Sequence, residues 1–256
     1  MSVKLKVCTF NLRTPVKSDD LNYFPNRKQR ILGCIAKEAP DIIGFQEAAV
    51  TIADWLREVL DGYIVVGCGR GKNLDEEAML IAYRKNVFEM VSMETFWLSF
   101  APSVWGSTYG GDQSTNSRAT TAAVLKHRQG EKPFLFLNTH LDQMGKNART
   151  YSVIQILQYI DKVKLPVIIT GDMNAYPDTS EMKLFTESPY QGLVDLTTEV
   201  GPTFHGFGKR NPESKIDYIF SNLPADPKES YAVTDIPVEG VYISDHRPVI
   251  SFVTVD

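Results

Sequence analysis

Short apolar runs alternate with amphipathic stretches along nearly the whole chain, and this alternation limits the folds that it can form. The first four segments, VKLKVCTFNL, RKQRILGCIAKEA, PDIIGFQEA and IADWLREVLDG, predict strand, helix, strand and helix, with Gly62 ending the second helix. Later segments predict more strands and one long helix, ARTYSVIQILQYIDKV. Strands clearly outnumber helices. The mixture favours an α/β protein with sheets packed on each other and helices outside over a simple parallel βαβ array.

Length and composition are those of an ordinary globular protein. Of the 256 residues, 43% are hydrophobic and 23% charged, and no internal repeat or domain boundary is visible, so we predict a single domain over residues 1–256. The start, MSVKLKVCTF, lacks a signal peptide, and no apolar stretch reaches the ~20 residues of a membrane span. Cys8, Cys34 and Cys68 are expected to be buried bystanders. We expect a full-length, cytoplasmic monomer.

The charge of the chain bears on its partners. The formal net charge is −4 and the isoelectric point is near 5.7, so no overall basic field attracts a nucleic-acid backbone. Nucleic acid therefore stays possible as a partner without being indicated, and an anionic substrate has to be held by local groups or a bound cation. One small basic group, Lys209, Arg210 and Lys215, is a candidate to guide such a substrate.

One segment, residues 98–117, is rich in Gly, Ser and Pro and predicts a long functional loop between two strands. Trp105 and Tyr109 within it, and Trp97 beside it, are candidates to stack on a base or cover a sugar. For Trp97 a place in the core is at least as good an interpretation.

Polar side chains end or interrupt six of the apolar runs, and this is the feature most informative about function. Each has a structural explanation when taken alone, such as a helix cap or a turn. Buried carboxylates are costly unless paired, hydrogen-bonded or metal-bound, and strand ends in α/β folds meet at one rim, so the joint pattern predicts a shared site. The residues are Asn11, Glu47, His140, Asp172 with Asn174, Asp217, and Asp245 with His246.

The residue types in this set indicate the chemistry. Carboxylates, amides and imidazoles without thiolates suit a hard divalent cation such as Mg²⁺ or Mn²⁺. Zinc is less favoured, because the chain has only four His residues and no H-E-x-x-H motif. A cation held by Glu47 and Asp245 would polarise a phosphoryl oxygen, and the Asp217 carboxylate would orient the His246 imidazole. This combination favours cleavage of a phosphoester.

Other catalytic motifs are missing or defective. In GCGRGKN, Gly67 and Gly71 enclose three residues instead of the four of a P-loop, and Asn73 stands where Ser or Thr must bind magnesium. Neither a G-x-S-x-G nucleophile motif nor a complete G-x-G-x-x-G occurs. Serine-hydrolase and dinucleotide-binding functions therefore lose their support.

The ordered series TFNLR, IIGFQE, NTHLD, GDMN, KIDYIF and SDHRPV resembles the endonuclease/exonuclease/phosphatase superfamily of DNase I-like, metal-dependent phosphoesterases. The series runs from Asn11 to Pro248 and so covers nearly the whole chain. The resemblance implies an α/β (α+β) fold, a four-layer α/β/β/α sandwich with two packed mixed β-sheets and the active site at one edge. It also implies one or two Mg²⁺ or Mn²⁺ ions.

The resemblance assigns binding roles to several residues. Glu47 would be the principal metal ligand, with Asn11 and Asp245 near or in the shell of the cation. Arg118, in NSRAT, would bind the substrate phosphate together with Asn11, whereas its structural alternative is a surface salt bridge. One departure is Arg13, which stands where several DNA-repair members carry Asp, so a second acidic metal contact and a repair function are in doubt.

The resemblance also assigns the catalytic roles. Asp172 and Asn174 would position the attacking water and the phosphate, and His140 would donate to the phosphoryl oxygens. Asp217 and His246 would form an acid–base or transition-state-stabilising pair. The general base is left open between Asp172 and His246, with Asp172 favoured for orienting the water.

We therefore expect a divalent-metal-dependent phosphoesterase that hydrolyses a phosphodiester or phosphomonoester, small or single-stranded, by in-line attack of water. One alternative is a polynucleotide endonuclease or exonuclease, whose binding would depend steeply on salt. The other is a catalytically silent scaffold with the same fold. Loss of Glu47, Asp172 or His246 would favour the scaffold, and all three are present.

Overall fold

The apolar runs form twelve strands, and the amphipathic segments form four helices, in a computed structural model that describes residues 2–187 and 192–256. The helices are α1 (Phe24–Glu38), α2 (Val50–Val59), α3 (Lys146–Val163) and α4 (Ser180–Glu187), with short 3-10 turns at Lys17–Asn22 and Pro227–Glu229. The strands are β1 (Val3–Asn11), β2 (Ile42–Ala48), β3 (Tyr63–Val66), β4 (Ala78–Arg84), β5 (Phe88–Trp97), β6 (Ala119–His127), β7 (Pro133–His140), β8 (Val167–Asp172), β9 (Val194–Asp195), β10 (Asp217–Ser221), β11 (Tyr231–Ala232) and β12 (Val249–Val255).

The strands form two mixed six-stranded sheets. One has the order β11-β12-β1-β2-β4-β3 and the other β5-β6-β7-β8-β10-β9. The pairs β1–β2 and β7–β8 at the sheet centres are parallel, while their neighbours are antiparallel. The sheets pack face to face, with β10 over β12, β8 over β1, β7 over β2 and β6 over β4.

Three apolar cores separate four layers. The middle core lies between the sheets and includes Val7, Phe136 and Ile168. A second core packs α1 and α2 on the outer face of the first sheet, and a third packs α3 and α4 on the outer face of the second. The predicted α/β/β/α sandwich with two packed mixed sheets is therefore confirmed.

A buried polar contact ties the sheets together near their middle. The Asn138 side chain on β7 donates to the carbonyl oxygens of Phe45 (2.7 Å) and Leu80 (2.8 Å) on β2 and β4. Its own oxygen accepts from Gln46 Nε2 at 2.6 Å and from Thr170 Oγ1 at 3.2 Å. The β2–β4 register shifts immediately after Phe45, so Asn138 provides donors where the ladder is interrupted. This fixes the sheet spacing directly below the ends of β2 and β7.

Several local predictions need correction. The helix α2 ends at Val59, where the Leu60 N–H donates to the Leu56 carbonyl, and Gly62 does not adopt the left-handed conformation of a C-terminal glycine. The strands β3, β5, β9 and β11 and the helix α4 were not predicted. In the part of the chain that the structure describes, no helix combines the length and apolar character needed to cross a bilayer.

Candidate active site

The polar strand ends meet at one rim of the two packed sheets. The carboxyl ends of the parallel strands and the starts of their antiparallel neighbours lie at this rim, as the pairings Asp217–Asp172, His140–Asp172 and Ala48–Ala78 show. Four strands of one sheet each pack on a strand of the other, so the rim consists of four stacked strand pairs, which we call columns: β10/β12, β8/β1, β7/β2 and β6/β4. At or beside their ends, the columns carry Asp217 with His246, Asp172 with Asn11, His140 with Glu47, and Arg118 with Arg70.

A group of three potential metal ligands lies in the middle of the rim. One ligand atom from each of Glu47, Asp172 and His246 lies within 4.8 Å of the other two. The Asn11 amide nitrogen links two of them, donating to Glu47 Oε1 and Asp172 Oδ2 at 3.0 Å each. The two carboxylates are ligands that suit a hard divalent cation, whereas the imidazole is a ligand only when neutral and a hydrogen-bond donor when protonated.

The backbone of Glu47 explains how its side chain enters the cavity. Its φ of 57° lies in the left-handed region, at the register shift where β2 leaves β4. A non-glycine residue in this region is strained, and such strain is often found at functional sites. The other carboxylate oxygen, Oε2, accepts from the backbone N–H of Thr14 at 2.8 Å. Burial works to raise the pKa of Glu47, but this hydrogen bond and the charge of His246 lower it.

The predicted pairing of Asp217 with His246 is present in the structure. Asp217 Oδ2 lies 2.9 Å from His246 Nδ1, and His246 Nε2 lies 3.8 Å from Asp172 Oδ2. Burial works to lower the pKa of His246, but the Asp217 charge and hydrogen bond, with Asp172 and Asp245, raise it to about 10. His246 is therefore an imidazolium that presents Nε2 towards the cavity, with the Phe204 ring packed against it at a centroid distance of 4.7 Å.

Asp172 and Asn174, at the end of β8, lie beside His140 of the neighbouring column. The Asn174 backbone N–H donates to Asp172 Oδ1 at 2.9 Å, and its side-chain nitrogen lies 3.0 Å from His140 Nε2. Burial and the charge of Asp217 raise the pKa of Asp172 to about 7. Burial and the charges of Arg118 and Arg70 lower the pKa of His140 well below its usual range, so this imidazole is neutral. A carboxylate that takes up a proton near neutral pH suits a general base.

Asp245 lies in the cavity wall but outside the group of three ligand atoms. Its Oδ1 accepts from Ser244 Oγ at 3.3 Å, and its Oδ2 lies 3.7 Å from Arg13 Nε. Arg13 also donates to both carboxylate oxygens of Asp19, at 3.0 and 3.1 Å. The position two residues after Asn11 thus holds a cation that faces Asp245.

The candidate substrate space is a cavity of about 380 Å³ above these columns. A second cavity of about 340 Å³ adjoins it and shares Gln143, Asn174, Phe204 and Ile216 with it. These volumes suit a small molecule or a few nucleotides. The lining of the first cavity includes the predicted residues Glu47, Arg118, His140, Asp172, Asn174, Asp245 and His246.

Arg118 is not at the surface, so its predicted structural alternative needs correction. Only 3% of the residue is exposed, and its Nε lies 3.3 Å from Asp142 Oδ2 in a buried ion pair. Asp142 in turn accepts from the backbone N–H groups of Ser114, Met144 and Gly145. The ion pair thus fixes the guanidinium against the wall of the cavity.

The structure decides two predictions about substrate contacts: it confirms the core position of Trp97 and contradicts a basic group that includes Lys215. Trp97 is a core residue, 2% exposed, whose Nε1 donates to the Arg70 carbonyl, so it cannot stack on a substrate. Lys215 donates to Asp195 and to the Thr197 carbonyl, at 3.3 and 2.6 Å, and so does not form a common basic surface with its neighbours.

Of that predicted basic group, Arg210 lies at a cavity. Its guanidinium packs over the Phe204 ring and donates to the Tyr176 hydroxyl at 3.3 Å, and all three residues line the second cavity. In the predicted loop, Trp105 is 53% exposed, whereas Tyr109 packs with Phe100.

Two arginines that position the site were missed by the sequence analysis. Arg27 of α1 is fully buried and donates to the carbonyls of Asn22, Leu12, Ile243 and Arg13, which ties together the loops that follow β1 and precede His246. Arg70 lines the cavity in the fourth column. In the sequence, both arginines look like ordinary solvated charges. The glycines that flank Arg70 are only a weak sign of an unusual backbone conformation there.

The endonuclease/exonuclease/phosphatase family matches residues 8–246. An endonuclease/exonuclease/phosphatase from Bacteroides vulgatus is 27% identical, with a TM-score of 0.91 and coverage of 99% of this chain and 100% of that one. A mannosyl-6-phosphatase from Bacteroides thetaiotaomicron VPI-5482 is 28% identical, with a TM-score of 0.87 and coverage of 98% and 100%.

The family match includes every strand of the four columns except β12 and the first five residues of β1, and the structural similarities extend over both sheets. The resemblance predicted from the ordered motifs is thus confirmed. The chain belongs to the endonuclease/exonuclease/phosphatase family, whose members are hydrolases that act on phosphoesters.

Proposed function

We propose that this protein hydrolyses a small phosphate ester by in-line attack of water, with one or two Mg²⁺ or Mn²⁺ ions at the rim. The observation that carries the proposal is the convergence of Glu47, Asp172 and His246 within 4.8 Å, with Asp217 hydrogen-bonded behind the imidazole. The cavity thus combines the carboxylates of Glu47 and Asp172, the second with a raised pKa, and the charged donor His246. These are the groups that hydrolysis of a phosphoester needs.

The metal site would be built on Glu47, with Asn11 and Asp245 beside it. When bound, the cation would neutralise charge on the phosphoryl group and stabilise the leaving oxygen. The Asn11 amide holds the Glu47 and Asp172 carboxylates in place with both of its N–H groups, so its predicted contact with the phosphate would require one of these hydrogen bonds to be released.

The attacking water would be oriented by Asp172. Its Oδ1 is held by the Asn174 N–H, and we assign Oδ2 to accept the proton of the water as its oxygen bonds to phosphorus. The bond between phosphorus and the ester oxygen breaks on the opposite side, and the alcohol leaves with a proton taken from solvent. The imidazolium of His246, held by Asp217, would donate to a phosphoryl oxygen as negative charge develops on that oxygen. Asn174 and His140 would also contact the phosphoryl oxygens.

A small substrate is supported by the two cavities of about 380 and 340 Å³ and by the net charge of −4. The similarity to a mannosyl-6-phosphatase supports a phosphorylated sugar, with the sugar in the second cavity against Phe204 and Tyr176. We further propose a cytoplasmic location, which the three free cysteines support, and keep the single domain and the monomer as predictions from the sequence.

The test is hydrolysis of phosphomonoesters, phosphodiesters and oligonucleotides by protein stripped of metal, with Mg²⁺ or Mn²⁺ added back and with EDTA. We expect activity only with metal, and a loss of roughly 10²–10³-fold in kcat for His246→Ala or Glu47→Gln. Glu58→Gln, an exposed carboxylate on α2, is the matched control and should behave as wild type. Activity that persists in EDTA, or that survives Glu47→Gln, would refute the proposal.

A further inference from the structure

Two buried guanidinium groups meet in the fourth column of the rim. Arg118 precedes β6 and is 3% exposed, and Arg70 lies beside the start of β4 and is 4% exposed. Both line the same cavity as Glu47, Asp172 and His246. Adjacent strands lie ~4.8 Å apart, so this column is one strand spacing from the column of Glu47 and His140.

The two arginines have more donors than partners. Arg70 Nη2 lies 2.8 Å from Glu77 Oε2, but its Nε and Nη1 form no hydrogen bond with any of the described residues. Arg118 uses Nε for Asp142 and Nη2 for Gln143, and its Nη1 likewise forms none with residues 2–187 and 192–256. Guanidinium groups only donate, and buried donors are normally satisfied, so these three nitrogens indicate an acceptor that the protein itself does not supply.

The backbone holds Arg70 in this position. Its N–H donates to the Glu77 carbonyl at 3.0 Å, and its own carbonyl accepts from Trp97 Nε1 and from Ser117 Oγ. The turn is closed, because a Cβ at the preceding Gly69 would collide with the Asp75 carbonyl. A surface ion pair with Glu77 would not require such a fixed arrangement.

The electrostatic effects agree with close approach of the two arginines to each other and to the site. Burial, and then the charge of Arg70, lower the pKa of Arg118. Burial, and then the charges of Arg118 and Arg70, lower the pKa of His140 in the neighbouring column. Asp142 pairs with Arg118, and Glu77 and, at 4.0 Å, Glu76 pair with Arg70, so the case for an anion at this end rests on the donors that have no hydrogen bond.

We propose that Arg70 acts together with Arg118 to bind the terminal phosphoryl oxygens of a phosphomonoester, and thereby makes the enzyme prefer phosphomonoesters to phosphodiesters. This rests on the proposed phosphoester hydrolysis. A monoester has three non-ester oxygens that share two charges, whereas a diester has two oxygens that share one charge. In a diester, the third position is an uncharged oxygen with a carbon substituent, which offers a poor acceptor to the paired forks.

The test compares p-nitrophenyl phosphate with its methyl ester, methyl p-nitrophenyl phosphate. The two substrates share one leaving group and differ only in whether the third oxygen is free. For Arg70→Gln we expect kcat/KM for the monoester to fall roughly 10–100-fold, the value of one charge-assisted contact, with the diester changed less than about 3-fold. Arg70→Lys should recover part of the loss because it keeps the charge without the fork.

Binding of inorganic phosphate, measured by calorimetry with Mg²⁺ present, gives a readout independent of turnover. Its affinity should fall in Arg70→Gln by a factor similar to that for the monoester. Arg128→Gln, an exposed arginine just beyond the other end of β6, is the matched control and should change neither measurement. If Arg70→Gln does not fold, as judged by its Tm, Arg70→Lys and Arg118→Lys provide the same comparison.

The outcomes distinguish this inference from the proposed function. Equal losses on both substrates, no loss on either, or a loss confined to substrates that carry a second phosphate would overturn the role of Arg70 while hydrolysis by the wild type persists. Absence of metal-dependent hydrolysis in the wild type would instead refute the proposed function, and unchanged phosphate binding in the variants would then refute the anion site separately.

Discussion

The spacing between the two sheets can be tested at Gly44, in the middle of β2. The residue is buried, and a Cβ built on it would lie 2.6 Å from Asn138 Oδ1 and closer still to Thr170 Oγ1. Both atoms belong to the second sheet and to the polar contact that ties the sheets together. In Gly44→Ala, either the sheets move apart or these side chains give up their hydrogen bonds.

The cost can be estimated from these contacts. Overpacking of a core costs about 1–3 kcal/mol, and each buried polar group left without a partner costs a further ~1–3 kcal/mol. We therefore expect Gly44→Ala to lower the free energy of unfolding by about 3–5 kcal/mol. That is a large share of the ~5–15 kcal/mol of a typical protein.

The assay is urea denaturation, in which the midpoint should fall at an unchanged slope. Gly33→Ala is the control: Gly33 is exposed in α1 and its Cβ would meet nothing within 4 Å, so the substitution should stabilise the protein by up to ~1 kcal/mol. Adding Thr170→Ala to Gly44→Ala should restore part of the loss, because the nearest obstacle is removed. A Gly44→Ala midpoint equal to that of the wild type would refute the reasoning.

Three further predictions concern buried polar groups. Arg27→Met should lower the free energy of unfolding, measured by urea denaturation, by about 3 kcal/mol or more, because four backbone carbonyls lose their donor. Lys37→Met, at an exposed position on the same helix, is the control and should change the free energy of unfolding by no more than about 0.5 kcal/mol. Burial and the charge of Arg247 lower the pKa of His205 to about 4 in the folded protein. Between pH ~6.5 and 4 the unfolded chain therefore binds more protons than the folded one, and stability should fall as the pH drops. The decrease in Tm over this range should be smaller in His205→Gln. Asp217→Asn should reduce kcat on the order of 10³-fold in a steady-state assay and should also lower Tm, because the buried imidazolium of His246 loses its partner; an unchanged kcat would contradict the role of the pair.

The sequence predicted the layers well because their cores have strong periodicity. It missed β5 because that strand is exposed on both faces over most of its length, from Glu89 to Glu94, and so lacks the alternation of a half-buried strand. The end of α2 was misplaced because Gly62 looks like a helix terminator, although the Leu60 N–H already closes the last turn.

The candidate site was predictable where its residues end apolar strands, and not elsewhere. Glu47, Asp172 and His246 could be grouped in advance because strand ends meet at one rim. Burial of a charge is invisible in sequence, so Arg27 in RKQR looked like part of a solvated helix face, and Arg70 looked like part of a failed P-loop. Both were recognised only from their partners in the fold.

The left-handed backbone at Glu47 and Asn174, with φ of 57° and 48°, has a consequence for how the chain could change over time. Glycine at position 47 would relieve about 1 kcal/mol or more of conformational strain, so a descendant released from catalysis would gain stability by abandoning the carboxylate there. A strained Glu47 is therefore what the proposed hydrolase leads us to expect, whereas a silent scaffold would be free to lose it.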